Sequence, residues 1–268
     1  MNEFNARELR RLILEMAYNG QTVHIACAFS IVELLAVLYA KHLRIDRTNP
    51  RGAGRDYLVL SKGHGVMAQY ACMHQLGWLS DADLVNYFGD GTSLKGLADA
   101  HVPGVEASGG SLGHGLSVAT GLALGAKLGG TDQCVYAVVG DGELNEGAIW
   151  EAMLFANQFR LDNLIVVVDE NRFQAMGPTD EVMALGDIGA KFSAFGFETA
   201  AVGGHDEVLI DGALSRLKAG KNGRPKALIA RTVKGRGISF MENDNRWHYT
   251  RLTPDLFALA MNELGYEP

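Results

Sequence analysis

Residues 134–147 read CVYAVVGDGELNEG, an apolar segment that ends in a glycine turn. Its first six residues, 134–139, have the continuous hydrophobic character of a strand buried on both faces of a parallel sheet. The turn Gly140-Asp141-Gly142 follows directly, and residues 146–159 have the spacing of a helix. A second apolar strand, residues 164–169, then ends beside Asn171. Strand, helix and strand in this order predict a parallel crossover unit, with both polar turns at the carboxyl edge of the sheet.

The rest of the chain extends this alternation of strands and helices. We predict further strands at residues 55–61 and 227–232, and helices at residues 8–18, 31–42, 117–128, 207–218 and 253–264. Ser30 and Glu33 read as a capping box that opens the helix at 31–42. No linker, repeat or change in composition divides the chain. The sequence predicts one α/β domain over residues 1–268, with a doubly wound, mostly parallel sheet covered by helices on both faces.

Composition excludes several classes of protein. The 268 residues are 47% hydrophobic and 21% charged, as in ordinary globular proteins, and the net charge of −7 argues against nucleic acid or an anionic membrane as a partner. Residues 1–11 are charged, and no apolar run reaches the roughly 18 residues of a membrane span. Cys27, Cys72 and Cys134 lie too far apart for a zinc or disulfide motif, so we predict a cytoplasmic protein.

The glycine turn at 140–142 predicts an anion site, because free backbone N–H groups and a helix N-terminus attract phosphate. It lacks the third glycine of a dinucleotide fingerprint and the GK[ST] of a P-loop. Asp141 would repel a diphosphate unless a cation lay between them. A hard cation such as Mg²⁺ takes oxygen ligands, which the Asn171 amide and the Phe173 carbonyl offer at the next strand end. Taken singly, Asp141 could be an ordinary turn aspartate and Asn171 a loop cap.

The segment from Gly140 to Asn171, with EGAIWEA at 146–152 between, resembles the thiamine diphosphate motif, and within that class the chain is similar to transketolases. The resemblance continues in SKGHG at 61–65, PGVE at 103–106, GSLG at 110–113, LDNLIV at 161–166 and TVKGRGI at 232–238. It covers nearly the whole chain, but only the diphosphate-binding (PP) domain of the family. The family's pyrimidine-binding and C-terminal domains are therefore expected on a separate subunit.

The resemblance implies thiamine diphosphate and Mg²⁺ as cofactors, with Ca²⁺ or Mn²⁺ as possible substitutes. It implies metal ligands at Asp141, Asn171 and Phe173. It implies catalytic roles for His24, His64, His248 and Glu146, and it places Glu146 at a subunit interface. The cofactor contacts that it implies are His64, His101, Gly110, Ser111, Leu112, Gly140, Asp141, Gly142, Glu143 and Asn171.

Two histidines depart from the family pattern. His24 corresponds to a histidine that contacts a substrate hydroxyl, but the usual Ser-Gly-His-Pro-Gly is here TVHIA at 22–26, so the loop must differ. The family also has a histidine near the cofactor, several residues before Pro-Gly-Val-Glu. The chain is shortened there, which leaves His101 two residues before Pro103. His101 either replaces that histidine or borders the loop. His114, where glutamine is common, is a pocket residue or a helix-start contact.

The reaction that the resemblance implies is transfer of a two-carbon ketol unit from a ketose, commonly phosphorylated, to an aldose. In the family, the glutamate that activates the cofactor and the groups that bind a terminal phosphate belong to the missing domains. We therefore expect the chain to be inactive alone and to form an α2β2 assembly with a C-terminal subunit. The alternatives are a deoxyxylulose-phosphate synthase-like or oxo-acid-decarboxylating subunit, and a non-catalytic regulator. His64 and His248 favour transketolase, whereas the altered His24 loop keeps the regulator open.

Overall fold

The fold is built on a five-stranded parallel sheet, seen in a computed structural model that describes residues 4–267. Its spatial order is β1-β2-β3-β7-β6, and every neighbouring pair is parallel. A two-stranded hairpin, β4 and β5, follows the end of β3. The bounds of the strands are β1 Tyr57–Leu60, β2 Val135–Gly140, β3 Leu164–Glu170, β4 Phe173–Gln174, β5 Gly177–Pro178, β6 Glu198–Gly203 and β7 Lys226–Arg231.

Helices connect these strands and cover the sheet. Their bounds are α1 Ala6–Asn19, α2 Ile25–Phe29, α3 Val32–Val37, α4 Val66–Gln75, α5 Asp81–Val85, α6 His114–Leu128, α7 Gly147–Gln158, α8 Thr179–Val182, α9 Ile188–Ala194, α10 Glu207–Ala219 and α11 Pro254–Glu263. A π-helical turn, Leu38–His42, continues α3. Three 3₁₀ turns lie at Gly63–Gly65, Gly142–Asn145 and Asn245–His248. Within the described range, no helix is long and apolar enough to cross a bilayer.

Alternate side chains of β3 belong to two separate hydrophobic clusters. Ile165 and Val167 belong to one cluster, together with residues of α1, α3, α4 and α10, on one face of the sheet. Leu164, Val166 and Val168 pack on the other face with residues of α6, α7 and α9. Because a strand alternates its side chains between the two faces, both faces of the sheet are buried. The predicted doubly wound α/β fold is confirmed.

One local prediction, the capping box at Ser30 and Glu33, is wrong. The helix α3 begins at Val32, and its N-cap residue Ile31 makes no side-chain cap. Ser30 ends α2 in a helical conformation, so its hydroxyl instead donates to the Asp169 carboxylate (2.8 Å) and to the Cys27 carbonyl. Glu33 forms a buried ion pair with Arg10 (2.7 Å). A long-range acceptor has thus displaced the local hydrogen bond that the spacing predicted.

Candidate active site

A cavity of about 390 Å³ lies beyond the carboxyl ends of β1, β2 and β3, where open α/β sheets bind ligands. It brings together residues more than 200 positions apart in the sequence, from His24 to His248. Its walls include most of the residues predicted from the sequence: His24, His64, Gly110, Leu112, Gly140, Asp141, Gly142, Glu143, Glu146, Asn171, Phe173 and His248. Ser111 and His101 are the two predicted residues that do not line it.

Asp141 is a buried carboxylate between the ends of β2 and β3. It is 2% exposed and accepts hydrogen bonds from the backbone N–H groups of Gly142 (2.7 Å) and Arg172. The second bond ties the glycine turn to the loop after β3. Burial, helped by the nearby charge of Asp169, raises the pKa of Asp141 to about 7. A cation beside this carboxylate would relieve the cost of burying its charge.

Asn171 lies in that same loop and Phe173 begins β4, and these two residues are the other predicted metal ligands. The Asn171 amide donates to Asp169 (2.7 Å), and its oxygen accepts from the backbone N–H of Phe173 (3.0 Å). Among residues 4–267, no three side chains of His, Cys, Asp or Glu are grouped so that they could hold a metal ion. The predicted ligands at the carboxyl edge of the sheet are instead the Asp141 carboxylate, the Asn171 amide and the Phe173 backbone carbonyl. All three offer oxygen atoms, which suit a hard cation.

Glu143 connects three segments of the site. One oxygen of its carboxylate accepts from the Ser61 hydroxyl and from the Gly113 N–H (2.8 Å), and the other accepts from the Gly140 N–H (3.1 Å). Burial raises the pKa of this carboxyl despite those bonds. Glu143 therefore holds the segment at 110–113 against the glycine turn. The hydrogen bonds to its carboxylate thus come from groups of the protein itself.

A buried ion pair between Lys62 and Asp169 lies at the base of the cavity, and the sequence analysis did not single it out. Both side chains are at most 1% exposed. Lys62 also donates to the Cys27 carbonyl (3.1 Å), and Asp169 accepts from Ser30 and Thr232. Burial opposes both charges, but their mutual attraction outweighs it, so the pKa of Lys62 is raised and that of Asp169 is lowered. The apolar character of residues 164–168 offered no signal for this pair.

Three predicted histidines that line the same cavity form a triangle. The ring centroids of His24, His64 and His248 are 5.4 to 5.7 Å apart. Lys234 Nζ lies 2.9 Å from Nδ1 of His248, where the nitrogen accepts and the ring proton occupies Nε2. Burial, together with Lys62 and Lys234, lowers the pKa of all three rings, that of His248 to about 3. At neutral pH the triangle therefore consists of uncharged imidazoles, each able to donate and accept one hydrogen bond.

The structure places His101 outside this cavity. Its side chain is 90% exposed, and its ring nitrogen pairs with Asp99 (2.7 Å), so it borders the loop without reaching the site. Leu97 lies in the wall instead, packed so closely over Gly110 that a Cβ on this glycine would come within 2.7 Å of Leu97 Cδ1. His114 is exposed at the start of α6. The shortened loop thus presents a leucine to the cavity.

Gly63 is expected not to tolerate alanine. A Cβ at this position would lie 2.8 Å from Gly109 Cα and 2.9 Å from Gly110 N, and these backbone atoms cannot rotate away. We expect Gly63→Ala to lower the free energy of unfolding by about 1–3 kcal/mol, measured by urea denaturation. In the matched variant Gly125→Ala, on the exposed side of α6, the new methyl group meets nothing within 4 Å. We expect this variant to raise the free energy of unfolding by about 0.5–1 kcal/mol. Equal effects at the two glycines would contradict the close approach.

Comparison with known proteins gives one consistent result. The family model described as "Transketolase, thiamine diphosphate binding domain" matches residues 2–268. The chain is 38% identical over 267 residues to one subunit of the apulose-4-phosphate transketolase of Actinobacillus succinogenes, covering 99% of this chain and 96% of the relative. It is 36% identical over 266 residues to the SqwG subunit of the 6-deoxy-6-sulfo-D-fructose transketolase of a Clostridium species, with the same coverage of 99% and 96%.

Solved structures give the same picture of the fold. The transketolase of Campylobacter jejuni superposes with a TM-score of 0.91 at 30% identity, over 100% of this chain and 43% of the other. That of Leishmania mexicana gives 0.89 at 30% identity, over 98% and 41%. The chain thus spans about two fifths of the length of these solved proteins.

Proposed function

This chain belongs to the family of transketolase thiamine diphosphate-binding domains, and from that premise we propose how its residues share ketol transfer with a partner subunit. It is an N-terminal subunit of a split transketolase, a transferase whose relatives of similar length are themselves named as transketolase subunits. The relatives do not favour a synthase-like or decarboxylating reaction. The observation that supports our division of roles is that one cavity is lined both by Asp141 and Asn171 and by the histidine triangle.

The residues at the carboxyl edge of the sheet suit the diphosphate end of the cofactor and its metal. Asp141, Asn171 and the Phe173 carbonyl would hold Mg²⁺, which Ca²⁺ or Mn²⁺ could replace. The other contacts proposed for the cofactor are His64 and the backbone of Gly110, Leu112 and Gly142, all of which line the cavity. The fit is supported by Asp141, a buried carboxylate whose hydrogen bonds come from neutral N–H groups. Thiamine diphosphate, when bound, supplies a thiazolium carbon that stabilises the carbanion formed on C–C cleavage.

The histidine triangle would orient the sugar and move protons. Because the pKa values of His24, His64 and His248 are all lowered, each ring is neutral and can exchange a proton with a substrate hydroxyl. Lys234 fixes the tautomer of His248 through its hydrogen bond to Nδ1. Glu146, at the rim of the cavity beside Gly113, would face the subunit interface. We assign no contact with the cofactor to His101.

A partner subunit would complete the site with the pyrimidine-binding and C-terminal domains, leaving residues 1–268 as one PP domain. We propose an α2β2 assembly in the cytoplasm, acting on sugars or sugar phosphates. An exposed apolar face on α6 and α7 supports an interface there: Leu128 is 79% exposed, and Val118, Leu154, Phe155 and Phe159 also reach the surface. Apolar patches of this kind on a soluble protein mark interaction sites.

The proposal is tested by co-expressing the chain with its candidate C-terminal partner and assaying ketol transfer. The chain alone is expected to be inactive, and the purified pair to require both thiamine diphosphate and a divalent cation. His64→Ala should reduce kcat/KM of the pair by about 100-fold or more, as expected when a proton-transfer group is removed. His101→Ala is the matched control and should leave it unchanged. Activity of the chain alone, or equal effects of the two histidine variants, would contradict the proposal.

A further inference from the structure

Arg10, Glu33 and His205 form a hydrogen-bonded cluster, and none of the three lines the active-site cavity. We call it the Glu33 cluster; its members come from α1, from α3 and from the turn after β6. Two guanidinium nitrogens of Arg10 pair with the two carboxylate oxygens of Glu33, at 2.7 and 3.0 Å. His205 Nδ1 lies 2.9 Å from the same carboxylate. The buried charge of Glu33 is therefore satisfied by two partners from distant parts of the chain.

The hydrogen bonds of His205 fix which of its ring nitrogens carries the proton. Burial opposes the charge of Glu33, but the hydrogen bond from His205 and the charge of Arg10 lower the pKa of Glu33 to about 2. An ionised carboxylate only accepts hydrogen bonds, so the ring proton of His205 occupies Nδ1. Nε2 accepts from the backbone N–H of Val233 (2.8 Å). A carboxylate thus orients a neutral imidazole, which in turn holds the backbone after β7.

The Glu33 cluster holds the backbone after β7 at two points. One is the N–H of Val233, and the other is the carbonyl of Arg236, which accepts from Arg10 Nε (2.6 Å). Lys234 lies between these two points and is 1% exposed. Because its backbone is held on both sides, the direction in which the Lys234 side chain leaves the backbone is held as well.

Lys234 connects this backbone to the histidine triangle. It lines the active-site cavity, and its ammonium donates to Nδ1 of His248 (2.9 Å) and to the Asn245 side chain (2.7 Å). The bond to Nδ1 keeps the ring proton of His248 on Nε2. A displaced Lys234 would let that proton occupy either nitrogen. A shift of about 1 Å in a catalytic group costs on the order of 100-fold in rate, so the position of this lysine matters for turnover.

We propose that His205 is a positioning residue for ketol transfer. Oriented by Glu33, it holds the backbone at Val233. Lys234 thereby stays in place and keeps the ring proton of His248 on Nε2. This inference rests on the proposed function, which gives His248 a part in proton movement, and it extends the machinery to a residue outside the cavity.

The test compares two amides at position 205 in the two-subunit complex. In His205→Asn the amide can still donate to Glu33, but the shorter side chain leaves Val233 without its acceptor. In His205→Gln the longer side chain brings an amide oxygen to about the position of Nε2. At saturating thiamine diphosphate and Mg²⁺, we expect His205→Asn to lower kcat by about 10- to 100-fold, with KM for the ketose within about twofold. His205→Gln should recover kcat to within about fivefold of the unmodified complex.

His74→Asn is the matched control. His74 also pairs with a carboxylate, that of Asp81 (2.7 Å), and its side chain is 19% exposed against 15% for His205. This variant should leave kcat and KM unchanged.

A second measurement does not depend on turnover. Nitrogen NMR of isotope-labelled histidine rings in the full chain reports which ring nitrogen carries the proton. The signals of His248 are identified as those lost in His248→Gln. We expect one tautomer of His248, protonated on Nε2, in the unmodified chain and in His205→Gln. In His205→Asn we expect an average of both tautomers.

The outcomes separate this inference from the proposed function. Loss of kcat in His205→Asn, its recovery in His205→Gln and a mixed tautomer of His248 support the positioning role. An unchanged kcat or an unchanged His248 tautomer in His205→Asn overturns it. Equal losses in the two amide variants, a loss as large in His74→Asn, or failure of both amide variants to fold also overturns it. If the unmodified complex transfers no ketol unit, the proposed function fails and the tautomer measurement alone decides the inference.

Discussion

Asp141→Asn is expected to lower ketol-transfer activity of the two-subunit complex by about 1000-fold or more. Asp141 is the charged member of the proposed metal-ligand set, and its carboxylate is held in place by the N–H groups of Gly142 and Arg172. A neutral amide at this position offers one oxygen and no charge, so the cation that neutralises the diphosphate loses several kcal/mol of stabilisation. Activity is measured at saturating thiamine diphosphate over a range of Mg²⁺ concentrations.

A second readout does not depend on turnover. At a concentration one hundred times the dissociation constant, the combined ligands should stabilise the unmodified complex by about 2.7 kcal/mol, whereas Asp141→Asn should gain almost nothing. Asp132→Asn is the matched control, because Asp132 precedes the opposite end of the same strand, β2, and is 84% exposed. Stabilisation of Asp141→Asn by Mg²⁺ to the same extent as the control would remove Asp141 from the metal site.

Lys62→Met is expected to destabilise the fold by about 3–5 kcal/mol. Removing the ammonium leaves the Asp169 carboxylate fully buried, with only the neutral donors of Ser30, Thr232 and Asn171. An uncompensated charge in a protein interior costs far more than the original ion pair contributes. Urea denaturation at one fixed protein concentration measures the change.

Lys226→Met provides the comparison, because Lys226 is also fully buried and ion-paired, to Glu198 at 2.8 Å. The Glu198 carboxylate is 33% exposed, so water can solvate it when the lysine is lost. We expect Lys226→Met to lower the free energy of unfolding by about 1 kcal/mol. If the two lysine variants cost the same, burial of the partner carboxylate is not the reason for the larger effect at Lys62.

The sequence predicted the centre of the sheet because the segments at 134–139 and 164–168 are continuously apolar, as strands covered on both faces are. It also placed Asp141 and Asn171 at one edge, because parallel strands end together. It missed β6, an edge strand whose residues are only partly buried and which lacks that pattern. Contacts between residues far apart in the sequence could not be predicted either. Neither the bond from Ser30 to Asp169 nor the packing of Leu97 over Gly110 leaves a local signal.

Asp169 has a consequence for local unfolding around the active site. Its carboxylate is the common acceptor of four donors, from the end of α2 (Ser30), the end of β1 (Lys62), the end of β7 (Thr232) and its own loop (Asn171). If a fluctuation frees any one of these segments, the Asp169 carboxylate loses a hydrogen-bond donor. Because this carboxylate is buried, the donors of the other segments must then satisfy its charge without help from water. The four segments therefore form one cooperative unit, and their backbone amides should exchange hydrogen for deuterium together, not loop by loop.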